Sequence, residues 1–194
     1  MKIAVLAVQG AFAEHRARLE QLGAECMELR KKEDLQTEFD GLVLPGGEST
    51  VQGKLLRELE MFDTLKAKIE SGMPVLATCA GLILLADKLS NDERVYFGTL
   101  PVTVKRNAYG RQLGSFRTVQ EMKGAGAIPM TFIRAPYIEK AAEDVEILAE
   151  VDGNIVAVRY GLQYGLSFHP ELDENTKIHE MFLKSCLAYH DADR

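Results

Sequence analysis

Pro74-Val75-Leu76-Ala77-Thr78-Cys79-Ala80-Gly81 decides the fold, because an apolar run of strand length passes through small residues directly into a helical stretch from Leu82 to Leu89. A strand with no polar face that feeds straight into a helix is the repeating unit of a parallel sheet covered on both sides. The same unit recurs on either side. Lys2 to Val8 is a continuous apolar strand; Phe12, Ala13, Leu19 and Leu22 then follow at helical spacing until Gly23 stops the helix. Glu25 to Leu29 reads as a second strand and Gly41 to Leu44 as a third, ending in Pro45-Gly46-Gly47, after which one helical stretch runs from Glu48-Ser49-Thr50 through Leu55, Leu56, Leu59 and Phe62. Beyond Phe97 the segments shorten and alternate. Val102–Val104, Phe132–Arg134, Val145–Val151 and Asn154–Arg159 are expected to complete or flank the sheet. Tyr164 to Phe168 is a last strand running into His169-Pro170-Glu171, and Ile178, Met181, Phe182 and Ser185 mark a closing amphipathic helix. Lys123 to Met130, broken by glycine and proline, reads as a mobile loop. The expected architecture is α/β, a single domain over residues 1–194 in three layers around a mostly parallel central sheet.

A chain of 194 residues with 46% hydrophobic and 27% charged residues has the composition of an ordinary globular domain, which excludes disordered and low-complexity classes. Twenty-three basic against 29 acidic residues give a net charge of -6, with no basic stripe able to neutralise successive phosphates, so nucleic acid is not an expected partner. The three cysteines (Cys26, Cys79, Cys186) form no C-x-x-C pair and have no zinc-ligand spacing, which fits a reducing cytoplasm and predicts no metal. The first apolar run ends at Val8, too short for the core of a signal peptide, and no stretch reaches membrane-spanning length. A cytoplasmic protein without membrane contact is expected.

The chemistry concentrates at three places. Cys79 sits at a strand-to-helix junction, where a side chain projects outward and its neighbours must be small because the backbones nearly touch; this is the geometry of a nucleophile elbow. A helix N-terminus favours the thiolate. The competing reading is a packed core cysteine, which is how Cys26 and Cys186 are read. His169 and Glu171, on one short segment after an apolar strand, supply a base and a carboxylate to orient it. If their strand lies beside that of Cys79, all three meet at the carboxyl edge of the sheet, where open α/β sheets bind ligands. The glycine pair of Leu44-Pro45-Gly46-Gly47-Glu48-Ser49-Thr50 lets the backbone present N–H groups. One of them, with that of Ala80, can stabilise an oxyanion. The plainer role of this loop is a βα turn in which Ser49 or Thr50 caps the next helix. It fails the phosphate-binding pattern, since Leu55 stands where Ser or Thr should hold magnesium. Arg106, within Lys105–Gln112, and Arg134, within an apolar segment ending at Pro136, are candidates to clamp a carboxylate, although isolated arginines more often join surface ion pairs. His15, His179 and His190 are read as surface residues that do not assemble.

Taken together, Thr78-Cys79-Ala80-Gly81, Pro45–Thr50 and Phe168-His169-Pro170-Glu171 resemble the class I glutamine amidotransferases. With Arg106-Asn107-Ala108-Tyr109-Gly110-Arg111-Gln112 and Phe132–Pro136 between them, they are similar in order and spacing to the glutaminase subunits of pyridoxal phosphate synthases, essentially over the whole chain. The resemblance implies hydrolysis of L-glutamine to glutamate and ammonia, with the ammonia passed to a synthase subunit that makes pyridoxal phosphate. No cofactor of its own is implied. Residue by residue, it implies Cys79 as nucleophile, His169 as general base and acid, and Glu171 as the group orienting His169. It further implies the backbone at Gly47 and Ala80 as the oxyanion hole, and Gly47, Glu48, Ser49, Arg106, Ile133 and Arg134 as glutamine contacts. Gln9 and Gly10 are implied to meet the synthase partner. The Gly46–Gly47 peptide or the Gln9 loop is expected to rearrange on docking. Two other readings remain open: the glutaminase of another synthase, such as imidazole glycerol phosphate synthase, or a redox or stress protein whose elbow cysteine is oxidised.

Overall fold

The computed structural model describes residues 1–109 and 114–192. Gly110, Arg111 and Gln112 of the polar segment fall outside the described residues.

The first half of the chain comprises β1 (Lys2–Leu6), α1 (Phe12–Gln21), β2 (Glu25–Leu29), β3 (Gly41–Leu44), α2 (Ser49–Glu58), α3 (Phe62–Glu70), β4 (Val75–Thr78), α4 (Ala80–Leu85) and β5 (Ala86–Leu89). The second half comprises β6 (Leu100–Lys105), β7 (Ser115–Met122), β8 (Gly126–Ile133), β9 (Tyr137–Ala141), β10 (Glu146–Val151), β11 (Asn154–Tyr160), β12 (Gln163–Leu166) and α5 (Lys177–Ala192). The strand order is β2-β1-β3-β4-β12-β11-β9-β6-β5, with β10 paired to β11. From β2 to β12 every pairing is parallel. Antiparallel pairing begins at β11, and β5 returns to parallel pairing with β6.

Alternation along the central strands divides the core into two layers, as the period of two requires. Leu42, Leu44, Val75 and Ala77 pack on one face beneath α2, α3 and α4, through Leu56, Leu65, Ile69 and Leu82. Val43, Leu76, Leu166 and Phe168 pack on the other beneath α1 and α5, through Leu19, Ile178 and Phe182. Every residue of β3, β4 and β12 is buried, which is why those strands carry no polar alternation. Burial of each large apolar side chain contributes about 1.5–3 kcal/mol.

Three expectations are corrected. The helix after Cys79 stops at Leu85, and Ala86–Leu89 forms a strand instead. The apolar run fits either period, and pairing with β6 decides it. The helix beginning at Ser49 ends at Glu58 because Glu60 takes a left-handed φ of 55°, and α3 starts afresh at Phe62. Lys123–Met130 is a tight turn followed by β8, in full register with β7. Its glycines and Pro129 hide a period of two in Ile128, Met130 and Phe132, all buried against the α5 side of the sheet. Proline is tolerated there because the hairpin has a free edge.

Candidate functional site

Leu44 pairs with Ala77 and Leu166 with Thr78, so the carboxyl ends of β3, β4 and β12 lie side by side. The glycine loop, Cys79 and His169 therefore emerge at one edge. Cys79 has φ 50° and ψ -100°, a left-handed conformation that costs a β-carbon residue on the order of 1–3 kcal/mol. Its N–H donates to the Leu166 carbonyl at 2.8 Å, which anchors the turn to β12. The elbow also needs Gly81: a β-carbon there would run into the Leu44 carbonyl oxygen.

His169 and Glu171 are 7% and 2% exposed, and His169 Nδ1 lies 2.6 Å from Glu171 Oε1. The His169 N–H donates to the Thr131 carbonyl at 2.8 Å, fixing the segment against the β7–β8 hairpin. Thr131 Oγ1 and Arg117 Nε donate to buried Asp173 at 2.9 and 3.0 Å, which ties the same two elements a second time. Burial works against a charged imidazole, but the Cys79 sulfur and the Glu171 carboxylate outweigh it and raise the His169 pKa to about 10. Burial would also raise the Glu171 pKa, yet His15 and His169 on its two oxygens hold the carboxyl below its usual range. With Nδ1 engaged by Glu171, Nε2 is the nitrogen left for Cys79.

One pocket is lined by Cys79 together with Gly47, Glu48, Ser49, Arg106, Ile133 and Arg134. All six expected glutamine contacts are thus gathered around the sulfur. Asp92 holds Arg106 Nη1 at 2.7 Å, and Asn91 grips the Arg106 backbone through its N–H and carbonyl at 3.1 and 3.0 Å. Arg134 has φ 43° and brings Nη2 to 3.6 Å from Glu48 Oε1 across the mouth. Ser49 does not cap α2, as the sequence suggested: the cap position is Glu48 and no side chain closes it. Instead Gln9 Oε1 accepts the Glu48 N–H at 2.8 Å, and Ser49 Oγ is left buried with no partner among the described residues.

The Gly46 carbonyl accepts the Ala11 N–H at 2.9 Å. Because a trans peptide directs its C=O and N–H to opposite sides, the Gly47 N–H points away from Ala11. Ala80, the first residue of α4, has an N–H that helix geometry leaves free. Gly10, with φ 103°, packs so closely on Gly46 that a β-carbon would strike its carbonyl oxygen.

The reading of His15 and His179 as unassembled surface residues is wrong. Both are 0% exposed, and His15 Nδ1 lies 3.0 Å from His179 Nε2. The signal was present, since His15 shares a helix face with Leu19 and His179 with Phe182, Leu183 and Cys186. His190 sits 2.6 Å from Asp40, away from the pocket. Burial pushes the Cys26 thiol up to about 11 and that of Cys186 further still, so neither is primed as a nucleophile. Among the described residues no group of His, Cys, Asp and Glu is arranged to hold a metal, and no helix is long and apolar enough to cross a membrane.

Residues 5–188 match the SNO glutamine amidotransferase family. The chain belongs to that family. Among relatives of this amidotransferase, pyridoxal 5'-phosphate synthase subunit PdxT of Desulfitobacterium hafniense (strain DSM 10664 / DCB-2) is 65% identical over 185 residues, covering 95% of this chain and 93% of its own. The PdxT subunit of Streptococcus pneumoniae (strain CGSP14) is 53% identical over 189 residues, covering 96% and 97%. A solved glutamine amidotransferase superposes with a TM-score of 0.90 at 42% identity, covering 95% of this chain and 98% of its own. The α/β fold with its mostly parallel central sheet is thus an amidotransferase fold.

Proposed function

We propose that the chain, as one glutaminase domain over residues 1–194, hydrolyses L-glutamine to L-glutamate and ammonia and supplies the ammonia to a pyridoxal phosphate synthase subunit. The observation that carries this reading is the convergence at one sheet edge of a left-handed Cys79, the His169–Glu171 pair and a pocket with two arginines. Cys79 attacks the glutamine amide carbon, while the N–H groups of Gly47 and Ala80 receive the charge that develops on the carbonyl oxygen. Protonated His169 gives its proton to the departing nitrogen, so ammonia leaves and a thioester remains. Neutral His169 then takes a proton from water, whose oxygen displaces the sulfur and releases glutamate. Glu171 holds the imidazole through Nδ1. Arg106 and Arg134 bind the substrate carboxylate, and Glu48, Ser49 and the Ile133 segment complete the amino-acid site.

The names of the relatives favour the pyridoxal phosphate pathway over another synthase or a redox protein. In this reading Gln9 and Gly10, on the turn that braces the glycine loop, meet the synthase, and the complex works in the cytoplasm. Glutamate formation should be measured with the chain alone and with a pyridoxal phosphate synthase subunit, using Cys79→Ala as the blank. A Cys79-dependent rate that rises on mixing supports chemistry and partner together. No rate in either condition would overturn the reading.

A further inference from the structure

The buried Glu171 carboxylate uses Oε1 on His169, whereas Oε2 accepts no hydrogen bond from the described residues and is faced by His15 Nε2 at 3.3 Å. A charged oxygen in that position needs a fixed positive dipole. The protonation of the neighbouring histidines follows from their partners. His179 Nδ1 is buried with no partner among the described residues, so a proton there would be an orphan donor. Its proton therefore sits on Nε2 and points at His15 Nδ1, 3.0 Å away, which must accept. A neutral His15 then carries its own proton on Nε2, where it donates to Thr78 Oγ1 at 3.1 Å and places the positive end of the N–H dipole 3.3 Å from Glu171 Oε2. Burial lowers the pKa of both rings, that of His179 to about 3, which keeps them neutral. The charged groups facing this cluster are Glu171, His169 and Glu14 around His15, and Arg18, whose Nε approaches the Glu171 carbonyl at 3.4 Å.

We propose that His15 is a positioning residue of the catalytic site: its Nε2–H holds Glu171 so that Oε1 faces His169, and His179 fixes the tautomer in which it can do so. The inference rests on the glutaminase reading for its consequence, but its geometry can be tested apart from turnover. Loss of the Nε2–H leaves Oε2 uncompensated, so Glu171 is protonated more easily and orients His169 less well. His15→Ala should then lower kcat for glutamine about ten- to a hundredfold with little change in KM, and move the acid limb of the kcat profile to higher pH. His15→Gln, which offers an N–H at similar reach, should restore much of kcat.

Alkylation of Cys79 by iodoacetamide, followed against pH by peptide mass spectrometry, reads the same coupling without glutamine. In His15→Ala the reactive form of Cys79 should appear at higher pH than in the wild type. If that profile and kcat are both unchanged in His15→Ala, the proposal is overturned. If the alkylation profile shifts but the wild type mixed with its synthase makes no glutamate, the positioning role stands and the glutaminase reading falls. Should His15→Ala fail to fold, long-range nitrogen NMR of the wild type decides the matter. Neutral Nε2–H tautomers for His15 and His179 near neutral pH support the proposal, and an Nδ1–H or charged His15 overturns it.

Discussion

Gly46 and His169 are in such close contact that the imidazole Cε1 occupies the space a β-carbon on Gly46 would need. The glycine loop is thus the wall against which the His169 imidazole is set, as well as a source of N–H groups. The same loop leans on the turn after β1 through Gly10 and on Cys79's helix through the Leu44 carbonyl under Gly81. Three parallel strand ends are locked together by backbone contacts that admit no side chain.

Gly46→Ala should therefore act on catalysis by displacing His169. We expect kcat for glutamine to fall at least about tenfold, since a small misplacement of a catalytic group costs on that order or more. Steady-state kinetics at a concentration of folded protein verified by circular dichroism would check it, and a wild-type kcat would contradict the contact.

Gly81→Ala meets backbone rather than a ring that can turn. Overpacking of this kind costs about 1–3 kcal/mol, which for a domain of this size lowers Tm by about 2–4 °C per kcal/mol. Thermal unfolding compared with an Ala17→Gly control, an exposed helical site, would separate steric cost from helix propensity.

His169 should stay protonated well above the ordinary histidine range. Its pKa of about 10, against 6.5 for the free side chain, means that folding favours the imidazolium. That contribution is fully present below 6.5 and is lost as pH rises through about 10. The imidazole should thus titrate near 10 by NMR in the wild type, and lower in Cys79→Ala, where the sulfur that helps hold the charge is gone. A His169 that titrates near 6.5 in both proteins would contradict the pairing.

The parallel half of the fold was legible because its strands are buried on both faces and its glycines and Cys79 occupy sharp turns. The site was legible for the same reason: Cys79, Gly47 and His169 follow strands whose adjacency the βα pattern implies. What escaped depends on partners far along the chain. Ala86–Leu89 becomes a strand only because β6 lies beside it, and Lys123–Met130 reads as a loop until β8 pairs with β7 and Phe116 stacks on Phe132 across the hairpin. His15 and His179 looked like helix-surface residues because α1 and α5 are separated by most of the chain, although their rings meet behind Glu171.

Arg106 is presented to the pocket by Asp92, which it shares with Arg94. Arg106→Ala should raise KM for glutamine by about ten- to a hundredfold, the loss of a charge-assisted hydrogen bond of about 1.5–3 kcal/mol, with a smaller effect on kcat. Asp92→Asn leaves the guanidinium in place but less firmly held, so its KM should lie between those of the wild type and Arg106→Ala. An Asp92→Asn enzyme with a KM above that of Arg106→Ala would place Asp92 in direct contact with substrate instead.

Gln9 links the turn after the first strand to the glycine loop and to α2, since its side-chain oxygen accepts the Glu48 N–H at 2.8 Å and its carbonyl accepts Gln52 Nε2 at 3.0 Å. The Gly46 carbonyl is held by Ala11, two residues further on, so force applied at Gln9–Gly10 is transmitted to the peptide that carries the Gly47 N–H. Gln9→Ala removes the first bond, at a stability cost of about 0.5–1.5 kcal/mol. If the synthase acts on the oxyanion hole through this turn, the ratio of glutaminase rates with and without synthase should fall several-fold in Gln9→Ala. Measuring the stimulated rate at saturating synthase in both proteins excludes weakened docking as the cause, and an unchanged ratio would remove Gln9 from the path between partner and site.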